Sequence, residues 1–472
     1  MFLSVLNLII LCRPELSAKN RPTSFRPFKP LLPTIPPKFQ PTPHYQPNPK
    51  VSNHPTPMKK PLSPITAIVL LSLFVCFSAM ATPNPVYNRV NVTDFGAIPN
   101  DGNPDTAAIN FALTQGQSIY FPPGTYNYDG SMIMQGSLGG KSWRFYGDGP
   151  GVSTIIFTNA TSGGINAPSL GVGNTLVIEG LTLQAGSNCG TAIDATFSSV
   201  GFFKSATIHN VQIRGSANDG DTGTNWTGGI HLVGAHHSVL DKVEINGKKN
   251  TTTNGIWFDQ SSGGFSTGFN MSNLQVKWCN TAFRTTGHVE GVYLTGFEFT
   301  SCGRGGSPAV DLNITEPLNG GAFHLVNGTI DMVGSGLWLT NPGFVKVSNV
   351  RFKHNGPDAT DGGHMVYING GFNVTVSQCS FYGPDANSGV PWENAIFAIN
   401  SASLQFNGNN FYNLKAASDY GIVVWGNSPS LRITDNLFDV FQTQYWISVT
   451  GTPAPYYCGN SPSASGVCGN NP

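Results

Sequence analysis

Apolar and polar residues alternate in short stretches along most of the chain, with the period of two that is typical of β-strands. One six-residue phrase recurs, with apolar residues at its first, fourth and sixth positions. Examples are residues 178–183 and 208–213, and we call the third position of each copy its centre. Its centres lie on average about 28 residues apart, a spacing typical of solenoid repeats. The ten central residues are Gly180, Asn210, Lys242, Asn273, Gly296, Asn327, Asn349, Gln378, Gly408 and Asp435.

A second short strand follows each copy of the phrase, for example at 229–232 and 255–258. No helical pattern separates the two strands, which excludes a parallel sheet backed by helices. Each coil can instead stack on the next, with parallel strands about 4.8 Å apart and the apolar residues turned inward. The pattern therefore predicts an all-β fold, a single-stranded parallel β-helix over residues 82–450.

The composition agrees with many short strands joined by turns, since the chain has 56 Gly among 472 residues and only 11% charged residues. Twenty-five basic residues balance 25 acidic residues, which argues against a nucleic-acid partner held by a basic excess. A hydrophobic content of 39% with 11% aromatic residues excludes a disordered chain. We therefore expect a folded protein that binds no nucleic acid.

The first 81 residues are predicted to lie outside this fold. Residues 1–57 form a Pro-rich extension that we do not expect in the mature protein; the alternative is a linker after a weak anchor at 2–11. Residues 58–81 combine a basic start, an apolar run and Ala-Met-Ala, the pattern of a secretory signal peptide. The apolar run is short for a membrane span. We expect a secreted, extracellular or periplasmic protein without a stable membrane span after cleavage.

Six cysteines remain after removal of the first 81 residues, and in an exported protein an even number fits disulfide pairing. Cys279 and Cys302 each lie six residues after a repeat centre, so they should stack at a distance compatible with a disulfide. Cys458 and Cys468 are expected to link the Gly/Ser/Pro-rich tail, residues 451–472. The alternative is six buried free thiols.

The second strand of each coil places one outward residue at the same position, and stacking should align these residues as a column. Insertions at 214–228, 356–364 and 383–393 precede these strands and would wall a groove above the column. Aromatic faces in such a groove suit sugar rings, although ordinary packing is the alternative interpretation. The predicted column contains Asp194, His231, Trp257, Arg284, Asp311, Trp338, Tyr367 and Phe397, and a second column two residues further on contains Asp259.

Asp259 and Asp311 flank Arg284 from neighbouring coils. Two coil steps are about 9–10 Å, which suits inverting hydrolysis with a water between two carboxylates. Alternatively, the acids would hold Ca²⁺ against uronate groups while Arg284 or Lys277 removes a proton, as in a lyase. A structural ion-pair ladder is the third interpretation. The catalytic candidates are Asp259, Arg284, Asp311 and His231, and the substrate-binding candidates are Trp257, Trp338, Tyr367, Lys277 and His364.

The segment 90–126 carries Val-Thr-Asp-Phe-Gly-Ala, then Asn-Asp-Gly, then a helical stretch after Asp105, and ends in Tyr-Phe-Pro-Pro-Gly-Thr-Tyr. This combination resembles the opening of the pectate lyase superfamily domain of pectate lyases, polygalacturonases and rhamnogalacturonases. The resemblance implies a right-handed β-helix that acts on or binds polysaccharide. The helix would cover the open end of the β-helix. The resemblance does not fix the reaction, because this fold hosts several.

The catalytic signatures of polygalacturonases are missing here, since Asn254 stands where an acid would be and Gly-His-Met at 363–365 matches only in part. Two hypotheses follow. The first is a secreted lyase or glycosidase for an acidic, pectin-like glycan, which Arg284, Lys277 and Arg214 favour. The second is a non-catalytic glycan-binding or structural β-helix protein, which the missing signatures favour.

Overall fold

The structure is a computed structural model that describes residues 89–134, 141–161, 163–198, 204–217, 223–248, 253–262, 264–304, 306–313, 322–354, 363–383, 394–412, 420–439, 447–451 and 456–460. The predicted extension 1–57 and signal peptide 58–81 lie outside these residues, as do most of the predicted groove-wall insertions. Among the described helices, none is long and apolar enough to cross a membrane.

The short strands that the alternating pattern predicts form two parallel sheets, and their labels follow chain order. The ladder sheet has 12 strands: β4 Met132–Ile133, β7 Gly163–Leu170, β9 Cys189–Phe197, β11 Trp226–Val233, β13 Asn254–Asp259, β15 Thr281–Thr286, β17 Val310–Asn313, β19 Leu337–Thr340, β21 His364–Asn369, β24 Asn394–Ile399, β27 Tyr420–Trp425 and β30 Ile447–Thr450.

The corner sheet has 19 strands: β1 Arg89–Asn91, β2 Ser118–Phe121, β3 Gly124–Tyr128, β5 Trp143–Gly147, β6 Ser153–Phe157, β8 Thr175–Ala185, β10 Ser205–Arg214, β12 Val239–Asn246, β14 Ser266–Lys277, β16 Val289–Cys302, β18 Ala322–Met332, β20 Phe344–His354, β22 Asn373–Ser377, β23 Ser380–Tyr382, β25 Ser403–Asn407, β26 Asn410–Tyr412, β28 Ser430–Thr434, β29 Leu437–Asp439 and β31 Tyr456–Cys458.

The chain alternates between the two sheets, so each coil adds at least one strand to each of them. β10, for example, pairs in parallel with β8 and β12, and β11 pairs in parallel with β9 and β13. Equivalent residues of successive coils are hydrogen-bonded neighbours although they lie some thirty positions apart in sequence, as Ile208 and Leu240 do. The predicted fold class, a right-handed parallel β-helix with a short N-terminal helix, is confirmed.

The polar centre of the repeated phrase is a conformational corner. All ten predicted centres have a positive φ, including Asn210 at 51°, Lys242 at 53° and Gly296 at 64°. This left-handed conformation is costly for most residues and is tolerated best by Gly and Asn, which explains the recurrence of those residues. An eleventh corner, Gly459 with φ 66°, was missed by the sequence analysis. At each corner the corner sheet bends between two strand directions.

Inward side chains of equal position stack along the axis to form one core. The rings of Phe352, Phe381, Phe411 and Phe438 follow one another at centroid distances of 4.9, 4.8 and 4.7 Å. These distances match the strand spacing of about 4.8 Å. Next to this stack, buried amides are hydrogen-bonded from coil to coil. The Nδ2 of Asn409, for example, donates to Oδ1 of Asn436 at 3.0 Å. The core is therefore continuous from coil to coil.

The opening segment contains a 3₁₀ turn, Val92–Phe95, and the helix α1, Thr106–Gln115. Asp105 precedes the helix as predicted, but its carboxylate does not cap the helix. It accepts hydrogen bonds from the backbone N of Ile98 at 2.8 Å and of Asn127 at 3.0 Å, which joins two loops of the first coil. The helix places Ile109 and Leu113 in the core, beside the first strands of the corner sheet.

Cys279 and Cys302 lie side by side in the core, as the repeat spacing predicts. The predicted disulfide between them is not present, because both are free thiols. A hydrogen bond with the Cys302 thiol, together with burial, raises the pKa of Cys279 well above its ordinary value. Cys189 and Cys379 are buried free thiols as well. Cys468 lies outside the described residues, so the link to Cys458 stays a prediction.

The corner conformation gives a test of the fold at Gly408, where φ is 63° and an added Cβ would have 3.8 Å of space to the nearest atom. Gly408→Val should destabilise the protein by about 1–2 kcal/mol relative to Gly408→Asn, because a β-branched residue is disfavoured at positive φ. Urea unfolding of both variants measures this difference. Equal free energies of unfolding would contradict the assigned corner.

Candidate functional site

The outward residues of the ladder sheet form the predicted column. Arg284 pairs in register with Trp257 on one side and with Asp311 on the other. The remaining neighbours follow the same register, so the order is Asp194, His231, Trp257, Arg284, Asp311, Trp338, Tyr367 and Phe397. Asp259 lies in the second column, paired with Val233 and Thr286. Residues from eight coils are thereby brought to one surface.

His231 joins two carboxylates from the coils on either side. Its Nδ1 lies 3.0 Å from Oδ1 of Asp194, and its Nε2 lies 3.0 Å from Oδ2 of Asp259. Only a protonated ring can donate from both nitrogens. Burial opposes that proton, but the hydrogen bonds and charges of the two aspartates outweigh it and raise the pKa of His231. The three side chains therefore form a charged clamp at the N-terminal part of the column.

Trp257 is enclosed between His231 and Arg284. Its ring stacks on the His231 ring at a centroid distance of 4.6 Å and an angle of 22°. The Arg284 guanidinium lies 5.9 Å from the Trp257 ring centroid, within cation–π range. Only 9% of Trp257 is exposed. The ring therefore packs the clamp against the arginine rather than offering a free face to a sugar.

Asp259 and Asp311 have opposite pKa shifts. Burial raises the pKa of Asp259, but the hydrogen bond and charge of His231, the hydrogen bond of Thr286 and the charge of Arg284 outweigh burial and lower it. Burial of Asp311 outweighs the opposing charge of Arg284 and raises the pKa of Asp311. Two carboxyls with separated pKa values are the arrangement that acid–base catalysis uses.

The two acids are diagonal neighbours, because Asp259 lies in the second column and Asp311 in the first. The separation of about 9–10 Å expected from the sequence includes only the two coil steps along the axis. The two-residue offset along the strand brings the distance between their Cα atoms to about 12 Å. Oδ2 of Asp259 is bonded to His231, whose strand lies on the side of β13 away from Asp311.

No curated protein sequence matches this chain, but residues 89–307 match a family model, described as rhamnogalacturonase A/epimerase, pectate lyase-like. The match covers the N-terminal part of the β-helix, and the parallel β-helix fold agrees with it. Residues 89–307 are therefore similar to the pectate lyase-like family.

Solved structures with this fold cover most of the chain at low identity. A GH87 α-1,3-glucanase of Streptomyces thermodiastaticus is 12% identical, covering 79% of this chain and 69% of its own with a TM-score of 0.42. The A-module of the mannuronan C-5 epimerase AlgE4 of Azotobacter vinelandii is 14% identical, covering 77% and 99% with a TM-score of 0.46. PfbA, a surface adhesin of Streptococcus pneumoniae, is 13% identical, covering 80% and 94% with a TM-score of 0.42.

The aromatic half of the column in this pectate lyase-like β-helix is stacked on itself. Tyr367 and Phe397 are parallel within 4°, with centroids 5.7 Å apart, and the His364 ring lies 4.8 Å from Phe397. Trp338 lies 5.2 Å from Tyr367 at 43°. Rings that cover each other's faces turn their edges outward. Tyr367 therefore has little free ring face for the predicted stacking on a sugar. The ring of His364 packs against the aromatic residues of the column.

Trp425 is an aromatic residue that the sequence analysis missed. It is 48% exposed and lies 4.9 Å from Phe397, nearly perpendicular to it. Its strand, β27, continues the second column beyond Asn369 and Ile399. Extending that column by two coils would have identified it. Asp194 was placed in the column but not among the catalytic candidates, although it holds one side of His231.

Lys277 does not lie in the column. It ends β14 in the corner sheet and pairs with Asn246 and Thr300 of neighbouring coils. The chain changes sheets between Lys277 and Arg284. Among the described residues, no group of three or more His, Cys, Asp or Glu is placed to hold a metal ion. The Ca²⁺ of the lyase alternative stays a prediction.

The charged clamp predicts a pH-dependent contribution to stability. The folded-state pKa of His231 is raised above its unfolded value of about 6.5, so its stabilisation is complete below about pH 6.5 and is lost as pH rises through the folded pKa. The difference in Tm between wild type and His231→Gln should be largest near pH 6 and should shrink in alkali.

His354 is the matched comparison for this experiment. It is 2% exposed, and burial lowers its pKa to about 4. Its contribution has the opposite sign, because the unfolded state alone takes up a proton between about pH 6.5 and 4. His354→Leu should reduce the loss of stability in acid over that interval. Parallel pH profiles for the two variants would contradict the charged clamp.

Proposed function

We propose that this chain is a polysaccharide-cleaving enzyme, a glycosidase that hydrolyses a uronate-containing glycan above the ladder sheet. The observation that carries the proposal is the opposite pKa shift of Asp259 and Asp311, two half-buried acids on neighbouring columns of the ladder sheet. Asp311, whose pKa is raised, is suited to act as the general acid, and Asp259, whose pKa is lowered, is suited to act as the general base.

The proposed reaction is a single displacement by water. Asp311 gives its proton to the glycosidic oxygen as the bond to the anomeric carbon breaks, and Asp259 takes a proton from the attacking water. Oδ2 of Asp259 is held by His231, and the Thr286 side chain is also hydrogen-bonded to this carboxylate. His231, itself fixed by Asp194, is a positioning residue that keeps Asp259 ionised and oriented.

Arg284 supports an acidic substrate. It lies between Trp257 and Asp311 in the column, and its Nε has no hydrogen-bond partner among the described residues. A guanidinium with unused donors binds a carboxylate through charge-assisted hydrogen bonds. A uronate carboxylate at this position would also place the adjoining glycosidic bond near the two acids. We further propose that the protein is exported, on the strength of the signal-peptide pattern at 58–81.

A non-catalytic glycan-binding protein is the second candidate. It is favoured by Asn254, which begins β13 at the point where a polygalacturonase has a catalytic acid. Incubation with polygalacturonate, alginate and rhamnogalacturonan separates the candidates. A hydrolase releases reducing ends without ultraviolet absorbance, and a lyase releases unsaturated ends that absorb. Binding with neither product supports the second candidate.

Asp311→Asn tests the general acid. An amide has no proton to donate, so kcat should fall by about 10²–10⁴-fold, measured as reducing ends released, with substrate binding retained. Asp331→Asn is the matched control, since burial also raises the pKa of Asp331 and Arg351 lies 3.8 Å away, but on the corner sheet. Equal activity of the two variants would remove Asp311 from the mechanism.

The pH profile of kcat/KM tests the assignment of roles. Activity should rise as Asp259 ionises below its ordinary pKa and should fall as Asp311 loses its proton above its ordinary pKa. Arg284→Gln removes the charge that opposes the raised pKa of Asp311, so the alkaline limb should move to higher pH. It should also raise KM for acidic substrates. An alkaline limb that moves to lower pH would contradict the assignment.

A further inference from the structure

A groove on the corner sheet is a cavity that the proposed reaction does not use. It has a volume of about 840 Å³ and follows the left-handed corners from Asn273 to Ser380. These residues span four coil steps, about 19 Å along the axis. We call it the corner groove. Its side chains project from the corner sheet, whereas the catalytic candidates project from the ladder sheet, so the two surfaces are separate.

Small residues open the corner groove. Gly296 occupies a corner where the coils on either side have Asn273 and Asn327. Gly328 follows the next corner, and the Phe297 ring lies over it, since a Cβ at Gly328 would be 2.3 Å from a ring carbon. The groove thus has an apolar floor that includes Phe297, which is 4% exposed. An apolar floor with polar walls is the usual construction of a specific ligand site.

The walls of the corner groove are amides and hydroxyls. Exposed Asn327 and Asn349 are joined by one hydrogen bond, from Nδ2 of Asn349 to Oδ1 of Asn327 at 2.8 Å. Each amide keeps further donor or acceptor capacity after this bond. On the opposite wall, Nε2 of Gln275 donates to Oε2 of Glu298 at 3.1 Å, and this orders the carboxylate.

The charge of the corner groove indicates the class of ligand. Glu298 and Arg351 are the two formally charged residues among its lining residues, and their charges cancel. Arg351 also faces Asp331 at 3.8 Å, which reduces its attraction for an anion. Aligned amides and a carboxylate acceptor suit a ligand with many hydroxyl donors and no net charge.

We propose that the corner groove binds a neutral polysaccharide chain that lies along the axis of the β-helix. The site would attach the protein to a neutral glycan while the ladder sheet acts on an acidic one. The inference does not depend on catalysis, because it rests on the lining of the corner groove alone.

Calorimetric titration with neutral cello-, xylo-, manno- and galacto-oligosaccharides tests the site. Wild type should bind at least one of them, and Gln275→Ala/Glu298→Ala should weaken that binding about tenfold or more, through the loss of hydrogen bonds to a charged acceptor. Gln212→Ala/Glu244→Ala is the matched control, because the same Gln–Glu bond of 3.0 Å occurs there outside the groove. Thr329→Trp, which fills the groove, should abolish binding.

Asp311→Asn should keep the affinity for the neutral oligosaccharide unchanged, which separates this site from the ladder sheet. The inference is wrong if no neutral oligosaccharide binds, or if the control pair weakens binding as much as the groove pair. It is also wrong if wild type sediments as a dimer that Thr329→Trp dissociates, because the groove would then hold a second copy of the chain.

Discussion

The parallel register between successive coils is the constraint on which the rest of the structure depends. Backbone hydrogen bonds fix the rise at about 4.8 Å, and each coil must return to the same position to make them. The left-handed corners let the chain do so, and they recur in every repeat from Gly180 to Asp435. Insertions between strands are tolerated because they leave this register intact. The loops can therefore differ while the columns remain aligned.

The same register forces like positions into contact, and this decides where charge can be placed. Two acids in adjacent coils would repel each other at this spacing. The chain places His231 between Asp194 and Asp259, and Arg284 between Trp257 and Asp311, so acids in the ladder sheet have cationic neighbours. The resulting clamp is both a structural device and the cause of the low pKa of Asp259. Stability and the proposed chemistry therefore share the same hydrogen bonds.

Features that depend on the period could be predicted from the sequence, and features that depend on side-chain direction could not. The spacing of the phrase predicted the β-helix, the corners and the order of the column. It did not show that Tyr367 and Phe397 stack face to face, because ring orientation is set by the neighbouring rings. Lys277 precedes Arg284 by seven residues, but the chain changes sheets between them, so Lys277 lies on the corner sheet and Arg284 on the ladder sheet.

A raised carboxyl pKa alone does not define the candidate site. Asp331 and Asp311 are each half-buried beside an arginine, and burial raises the pKa of both. The difference lies in the partner: on the ladder sheet a second acid, Asp259, has its pKa lowered by His231. In a pair with separated pKa values one carboxyl can be protonated while the other is ionised, whereas a single carboxyl holds only one of these states at a time. The proposed chemistry on the ladder sheet therefore depends on His231 as much as on either acid.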